Sequence, residues 1–220
     1  QFEPGSTMKP LTVLAALESG RYHPGTLIDT HPGYIRVTRK TLLDPINYGM
    51  MDLTKVITKS SQVGISKVAL DLEPEVVREM FYRLGMGQTT GVGFPGESLG
   101  LLPSRSRWSD IERVNFAFGY GMSVTALQLA QAYAVVANDG VKVPVTLLRR
   151  TNDSTDSALF DEQGHQVISS KITDDVLAMM KTVLGPEGTA RQAQIAAYPA
   201  AGKTGTVHKV GAEGYVYNRY

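Results

Sequence analysis

Three short strings contain side chains that together could transfer an acyl group: Ser6-Thr7-Met8-Lys9, Ser60-Ser61-Gln62 and Lys203-Thr204-Gly205-Thr206. A serine hydroxyl is a weak nucleophile at neutral pH, so a base must take its proton as it attacks. One Ser-x-x-Lys is expected roughly once by chance in a chain of this size, and it means little alone. The three strings in this order are a far rarer coincidence, and they predict catalysis by a serine nucleophile.

The residue types suggest a role for each reacting group. Ser6 is the candidate nucleophile and Lys9 its base, which works only while the amine is neutral. Burial and a second cation both disfavour an ammonium ion, and Lys203 supplies that cation if the third string packs beside the first. Ser60 can relay a proton between Lys9 and the leaving group; the alternative for Ser60 is a helix cap.

The remaining polar groups suggest how a peptide would be held. The Gln62 amide can donate to and accept from a peptide backbone, and its alternative is a solvated helix residue. On a predicted edge strand, Lys203, Thr204 and Thr206 could hold a terminal carboxylate. The main-chain donors of Ser6 and Thr206 could stabilise an oxyanion, and one such donor typically lowers a barrier by about 3 kcal/mol.

Composition excludes several other classes of function. The chain has 220 residues, 42% of them hydrophobic, and a net charge of +1, so nothing points to nucleic acid as a partner. It has no cysteine, and its four histidines lack close ligand spacing, so no metal or other cofactor is expected. No stretch approaches the roughly 18 apolar residues of a membrane-spanning helix.

Periodicity predicts helices in the first two thirds of the chain. A helix is expected from Ser6 to Ser19, with an irregular first turn because of Pro10. Capping signals predict that three more helices start at Asp52, at Glu73-Pro74 and at the capping box Thr125 to Gln128. The helix that starts at Asp52 is expected to break near Ser60.

The last third of the chain has a different pattern of hydrophobic residues. Val141 to Leu148 is strand-like, and Leu159 to Ile168 is a predicted hairpin that turns near Glu162 to His165. Thr173 is the predicted cap of a final helix that ends before Gly185. No composition shift marks a domain boundary.

Two strings resemble nucleotide-binding motifs, but neither matches its motif completely. Gly91 to Gly96 fits G-x-G-x-x-G, but Pro95 breaks it and no apolar helix follows. Gly202-Lys203-Thr204 resembles the end of a phosphate-binding loop, but Ala197 stands where the first glycine is required. The first string is interpreted as a glycine-rich loop. The second is predicted to continue as a strand through Gly205-Thr206-Val207 and not as a helix, so neither is expected to bind a nucleotide.

The three strings, with Gly119-Tyr120-Gly121 and the Thr90 to Glu97 loop, resemble the transpeptidase domain of class B penicillin-binding proteins. The similarity covers essentially the whole chain and is greatest to the septal member, penicillin-binding protein 3. It implies an α+β fold, an antiparallel sheet flanked by helices, as in serine β-lactamases. Residues 1–220 would be one partial transpeptidase domain, helix-rich and lacking several sheet strands. A membrane anchor and an N-terminal module are expected upstream, and further strands downstream.

The resemblance also implies a reaction. Ser6 would be acylated by the penultimate D-alanine of a stem peptide, and an amine from a neighbouring stem would form the cross-link. Lys9 would be the base and Ser60 the relay, while Lys203, Thr204, Gly205 and Thr206 would bind the carboxylate and the oxyanion. β-Lactams would acylate the same serine.

One substrate-binding position departs from the family pattern. The family usually has Asn at the position of Gln62, whose amide lies about one methylene further from the backbone. Aromatic residues after the last motif, such as Tyr215 and Tyr217, are candidates for a wall of the pocket.

Several functions remain open at this point. The leading interpretation is a peptidoglycan D,D-transpeptidase of the bacterial inner membrane, with its catalytic domain in the periplasm. By resemblance its partners would be stem peptides, β-lactam antibiotics and division-complex membrane proteins, including a peptidoglycan glycosyltransferase. The alternatives are a serine β-lactamase or D,D-carboxypeptidase, and a β-lactam sensor domain without turnover.

Overall fold

A computed structural model describes residues 1–147, 164–207, 209–211 and 214–216. These residues form seven α-helices and eight short strands. The helices are α1 Lys9–Glu18, α2 Leu53–Thr58, α3 Gln62–Asp71, α4 Pro74–Arg83, α5 Asp110–Ala117, α6 Ala126–Ala137 and α7 Ser170–Val183. The strands are β1 Leu27–Asp29, β2 Tyr34–Val37, β3 Lys40–Leu43, β4 Met50–Asp52, β5 Val141–Lys142, β6 His165–Gln166, β7 Lys209–Gly211 and β8 Gly214–Val216.

Helix α1 is the centre of the core. Every residue from Lys9 to Leu17 is buried, as expected for a helix that is apolar on nearly all sides. Helices α4 and α7 pack against it. Thr12 donates a hydrogen bond from Oγ1 to the carbonyl of Ala117 at 2.6 Å, which ties α1 to the end of α5. The first residue of this central helix, Lys9, is therefore held inside the protein.

The strands form four separate antiparallel pairs, β1 with β4, β2 with β3, β5 with β6, and β7 with β8. The first two pairs lie between α1 and α2 in the chain, and β3 contacts α3. The α+β class expected from the resemblance is confirmed, with helices as the larger component. Among the residues that the structure describes, no helix is both long enough and apolar enough to cross a membrane.

Most of the early helix predictions are confirmed. The irregular first turn of the Ser6 helix is a 3₁₀ turn, Gly5–Met8, and regular α-helix begins at Lys9. The chain breaks between α2 and α3, and Pro74 opens α4. Both halves of the capping box at the start of α6 are present.

The predicted cap of α7 is wrong by one turn. Ser169, not Thr173, is the cap residue, and Thr173 is buried inside the first turn. Its Oγ1 donates to the carbonyl of Ser170 at 2.8 Å, so the hydroxyl forms a hydrogen bond within the helix and does not cap the helix start.

The strand predicted from Val141 to Leu148 also needs correction. Strand β5 has only two residues, and Pro144, which has no N–H to donate, follows two positions later. Strand β5 pairs with β6, His165–Gln166, which belongs to the predicted 159–168 hairpin. Leu148 and residues 159–163, which include the first part of that hairpin and of its turn, lie outside the described residues, so the hairpin stays a prediction.

A glycine contact holds the chain in front of α1. Gly5 donates its N–H to the carbonyl of Gly119 at 3.1 Å. Gly119 has a φ of +85°, and a Cβ built there would lie 2.3 Å from the Gly5 carbonyl oxygen. Only glycine fits, because any side chain would push Gly5 and the adjacent Ser6 out of position.

We therefore predict that Gly119→Ala lowers the free energy of unfolding by about 3 kcal/mol or more, because it combines backbone strain with a backbone clash. Chemical denaturation measures this directly. The matched control is Gly121→Ala, since Gly121 also has a positive φ, +70°, but open space around its Cβ position. The control should lose only about 1 kcal/mol. Equal losses in the two variants would contradict the packing argument.

Candidate active site

Ser6 lies where the chain turns into the central helix. It is the second residue of the 3₁₀ turn, three positions before Lys9. Thr7 fixes this turn by donating from Oγ1 to the carbonyl of Pro4 at 2.7 Å. Tyr133 of α6 donates its hydroxyl to the Thr7 carbonyl, also at 2.7 Å. Contacts on both sides therefore hold the backbone of Ser6.

Lys9 is fully buried and points at Ser60. Its Nζ donates to the Ser60 carbonyl oxygen at 2.6 Å and to Ser60 Oγ at 3.2 Å. Burial is the main reason that the pKa of Lys9 falls from 10.5 to about 7, and the Lys203 charge lowers it further. The carboxylate of Asp44 acts in the opposite direction. A large fraction of Lys9 is therefore neutral at pH 7 and able to accept a proton.

Ser60 occupies the break between α2 and α3 in a strained conformation. Its φ is +57°, in the left-handed region that costs a residue with a side chain about 1 kcal/mol or more. This conformation coexists with hydrogen bonds from Ser60 N to Ile57 O and from Ser61 N to Val56 O. In this arrangement both the carbonyl and the hydroxyl of Ser60 face Lys9. The predicted break thus has a chemical consequence.

Lys203 approaches the same hydroxyl from the other side. Its Nζ donates to Ser60 Oγ at 2.8 Å and to the carbonyl of Thr204 at 2.9 Å. Burial lowers the pKa of Lys203 to about 8. Ser60 Oγ therefore lies between two amines from distant parts of the chain, Lys9 and Lys203, as a proton relay requires.

The third string is not a strand in the described residues. Residues 201–207 are irregular, and no described strand pairs with them, so the predicted edge strand at Lys203 to Thr206 is wrong there. Gly205 packs against the nucleophile turn, and a Cβ there would lie 2.8 Å from Thr7 Cγ2. Close packing against this turn, and not sheet pairing, positions the string.

A cavity of about 560 Å³ unites these residues. Most of the residues selected from the sequence border it, namely Ser6, Lys9, Ser60, Gln62, Thr204 and Thr206. Lys203 reaches this group through Ser60 Oγ, and Gly205 lies between Thr204 and Thr206. Gln62 is the first residue of α3, and its side-chain amide forms no hydrogen bond with the described part of the chain. That amide is therefore available to a ligand in the cavity.

Asp44 is a site residue that the sequence analysis missed. In the chain it directly follows β3 and precedes Pro45. Its side chain is buried and accepts hydrogen bonds from the start of α3. Gln62 N and Val63 N donate to its Oδ1 at 2.6 and 3.2 Å, and Ser61 Oγ donates to Oδ2 at 2.5 Å. A carboxylate is well suited to these unpaired N–H groups. Asp44 therefore fixes the segment that carries Ser60 and Gln62.

The side chains of Tyr215 and Tyr217 lie outside the described part of the structure, so their place at the pocket stays a prediction. Among the described residues, no group of three or more histidine or acidic side chains could hold a metal ion.

Known proteins are similar to this chain in sequence and in fold. The family profile "Penicillin binding protein transpeptidase domain" matches residues 1–220. The chain is 39% identical over 219 residues to the peptidoglycan D,D-transpeptidase FtsI of Escherichia coli K12, covering all of this chain and 36% of that protein. It is 37% identical over 220 residues to the probable peptidoglycan D,D-transpeptidase PbpC of Pseudomonas aeruginosa, covering all of this chain and 37% of that protein. It thus spans about a third of the length of these relatives.

A solved structure supports the same assignment. The transpeptidase domain of penicillin-binding protein 3 from Burkholderia pseudomallei superposes with a TM-score of 0.90 at 36% identity. The match covers 99% of this chain and 64% of that one. The expected similarity to penicillin-binding protein 3 is therefore confirmed. By its sequence and its fold, this chain belongs to the penicillin-binding protein transpeptidase family.

Proposed function

We propose that the chain is the catalytic part of a peptidoglycan D,D-transpeptidase that works through an acyl-enzyme on Ser6. The observation that supports this most strongly is the pair of amines, Lys9 and Lys203, on either side of the Ser60 hydroxyl. This arrangement provides a neutral base, a cation and a proton relay beside one nucleophile. The two relatives named above as peptidoglycan D,D-transpeptidases support the choice of substrate.

The first half of the reaction forms an ester. Ser6 Oγ attacks the penultimate D-alanine carbonyl carbon of a stem peptide, and its proton passes to neutral Lys9. The main-chain N–H groups of Ser6 and Thr206 stabilise the oxyanion. As the C–N bond breaks, Ser60 delivers a proton to the leaving amine of the terminal D-alanine and is reprotonated from Lys9. Lys203 and Thr204 bind the carboxylate of that D-alanine.

The second half reverses these roles. An amine of a neighbouring stem peptide attacks the ester carbonyl, and its proton passes through the same relay toward Ser6 Oγ. The ester C–O bond breaks, a new amide bond forms, and Ser6 is regenerated. The cross-link replaces one amide bond with another, so no external energy source is required.

The described cavity wall bears on the choice between a transpeptidase and a β-lactamase that uses a glutamate to activate water. Asp44 is the only acidic residue among the described residues that border the cavity. Both of its oxygens already accept hydrogen bonds from the start of α3. The described cavity wall therefore has no unpaired carboxylate that could activate water, which argues against carboxylate-assisted hydrolysis and supports a long-lived acyl-enzyme.

We also propose the cellular setting that the resemblance implies. The names FtsI and penicillin-binding protein 3 among the matched proteins support a role in septal peptidoglycan synthesis. The protein would act in the periplasm, anchored in the inner membrane, with membrane proteins of the division complex and a peptidoglycan glycosyltransferase as partners.

We predict that a fluorescent penicillin labels the complete protein covalently at Ser6 and that the label persists for many minutes after a chase with unlabelled drug. Intact mass and peptide mapping identify the adduct, and Ser6→Ala should abolish it. A wild type that takes no label would refute serine acylation. Label lost within seconds would favour the β-lactamase alternative.

The pH dependence of acylation provides a separate prediction. The rate should rise as pH increases through about 7, because Lys9 loses its proton, and fall above about 8, because Lys203 loses the charge that binds a carboxylate. Stopped-flow acylation by a penicillin measures both limbs.

Two lysine variants show which amine controls each limb. Lys203→Met removes a cation, so the pKa of Lys9 rises and the ascending limb moves to higher pH, while the descending limb disappears. Lys59→Met is the matched control, since Lys59 borders the cavity but donates to the carbonyl of Glu187 at 2.9 Å. An ascending limb that stays in place in Lys203→Met would contradict the proposed coupling.

A further inference from the structure

Thr189, in the loop after α7, reaches the catalytic cavity. It borders the same cavity as Ser6, and its Oγ1 lies 2.8 Å from Thr204 Oγ1. The proposed mechanism leaves this hydroxyl pair unused. Because Thr204 is a proposed carboxylate-binding residue, its neighbour can affect substrate recognition.

The backbone on both sides of Thr189 is fixed. Gly188 donates its N–H to the carbonyl of Gly185 at 3.0 Å, and Ala190 donates to the carbonyl of Val183 at 2.9 Å. A Cβ on Gly188 would lie only 1.9 Å from the Val183 carbonyl oxygen, so the loop lies directly on the end of α7. The backbone position of Thr189 is therefore set by contacts with the end of α7, and its exposed side chain lies at the cavity.

A second contact ties this loop to the catalytic break. Lys59, next to Ser60, donates from Nζ to the carbonyl of Glu187 at 2.9 Å, and the same Nζ lies 3.4 Å from Glu187 Oε2. The loop is thus held by α7 on one side and by the Ser60 segment on the other. It forms a rigid wall of the cavity beside Thr204.

Counting donors and acceptors at Thr204 Oγ1 shows what Thr189 can do. A hydroxyl has one proton to donate and two lone pairs to accept with. The Lys203 ammonium can only donate, and its Nζ lies 3.3 Å from Thr204 Oγ1. If Thr189 donates as well, both lone pairs are engaged. The Thr204 proton is then left for an acceptor that enters the cavity.

We infer that Thr189 is a positioning residue that orients the Thr204 hydroxyl as a donor to the substrate carboxylate. The inference rests on the proposed function, since it assumes that Thr204 binds that carboxylate. Thr189 itself touches neither the reacting carbonyl nor the leaving group. Its removal should weaken recognition of an anion and leave the chemical step at Ser6 unchanged.

The test compares one penicillin as its free acid and as its methyl ester, with the complete protein. Thr189→Val removes the hydroxyl at nearly constant volume, and Thr189→Ser retains it. We expect Thr189→Val to lower the second-order acylation rate for the acid roughly fivefold, as for the loss of one partly exposed hydrogen bond. For the ester the loss should be less than about twofold, since its uncharged group benefits far less from an oriented donor. Thr189→Ser should restore the rate for the acid.

The outcomes separate the inference from the proposed function. Equal losses for acid and ester would mean that Thr189 only supports the loop, and no loss for either would mean that it has no role. Both results overturn the inference. A wild type that is not acylated at Ser6 refutes the proposed function, and the inference with it. Separating the binding constant from the limiting acylation rate adds a check, because the loss for the acid should lie in binding.

Discussion

The structure depends on one lysine that is buried at the head of the central helix. A charged amine in an apolar interior is costly, and the cost is reduced when the amine is neutral or hydrogen-bonded. Both conditions apply to Lys9. It donates to the carbonyl and hydroxyl of Ser60, and its pKa lies near 7. The same burial that stabilises the neutral amine makes it a competent base.

The other features of the site can be understood from this constraint. An acceptor must face Lys9, and the left-handed Ser60 provides two. The strained break that carries Ser60 needs support, and Asp44 supplies it through the N–H groups at the start of α3. Burial is the main cause of the low Lys9 pKa, and the positive charge of Lys203 lowers that pKa further. A site composed of three distant strings is therefore one connected polar network.

Much of this arrangement could be predicted from local sequence signals. Helices α4 and α6 follow from Pro74 and from the Thr125 capping box, because these act within a single turn. The irregular start of α1 follows from Pro10. The three candidate strings could be selected from the sequence because the proposed chemistry requires specific residue types, and the structure brings them to one cavity. Helix α5 was missed although its Ser109 and Glu112 form a similar box.

The remainder depends on contacts across the chain. Asp44 looks like a surface acid in the sequence, since its partners lie 17 to 19 positions away in α3. Thr173 has the residue type of a cap, but its burial against the core places it inside α7. The string from Lys203 has the composition of a strand, yet among the described residues close packing of Gly205 against Thr7 positions it. In each case a tertiary contact decides between local alternatives.

The central claim is that burial brings the pKa of Lys9 close to 7, so that a large fraction of this amine is neutral at physiological pH, and the pKa can be measured directly. The ¹⁵N resonance of Lys9 Nζ, assigned by its absence in Lys9→Arg, should titrate with a midpoint near pH 7. A midpoint above about pH 9, close to that of an exposed lysine, would contradict the account.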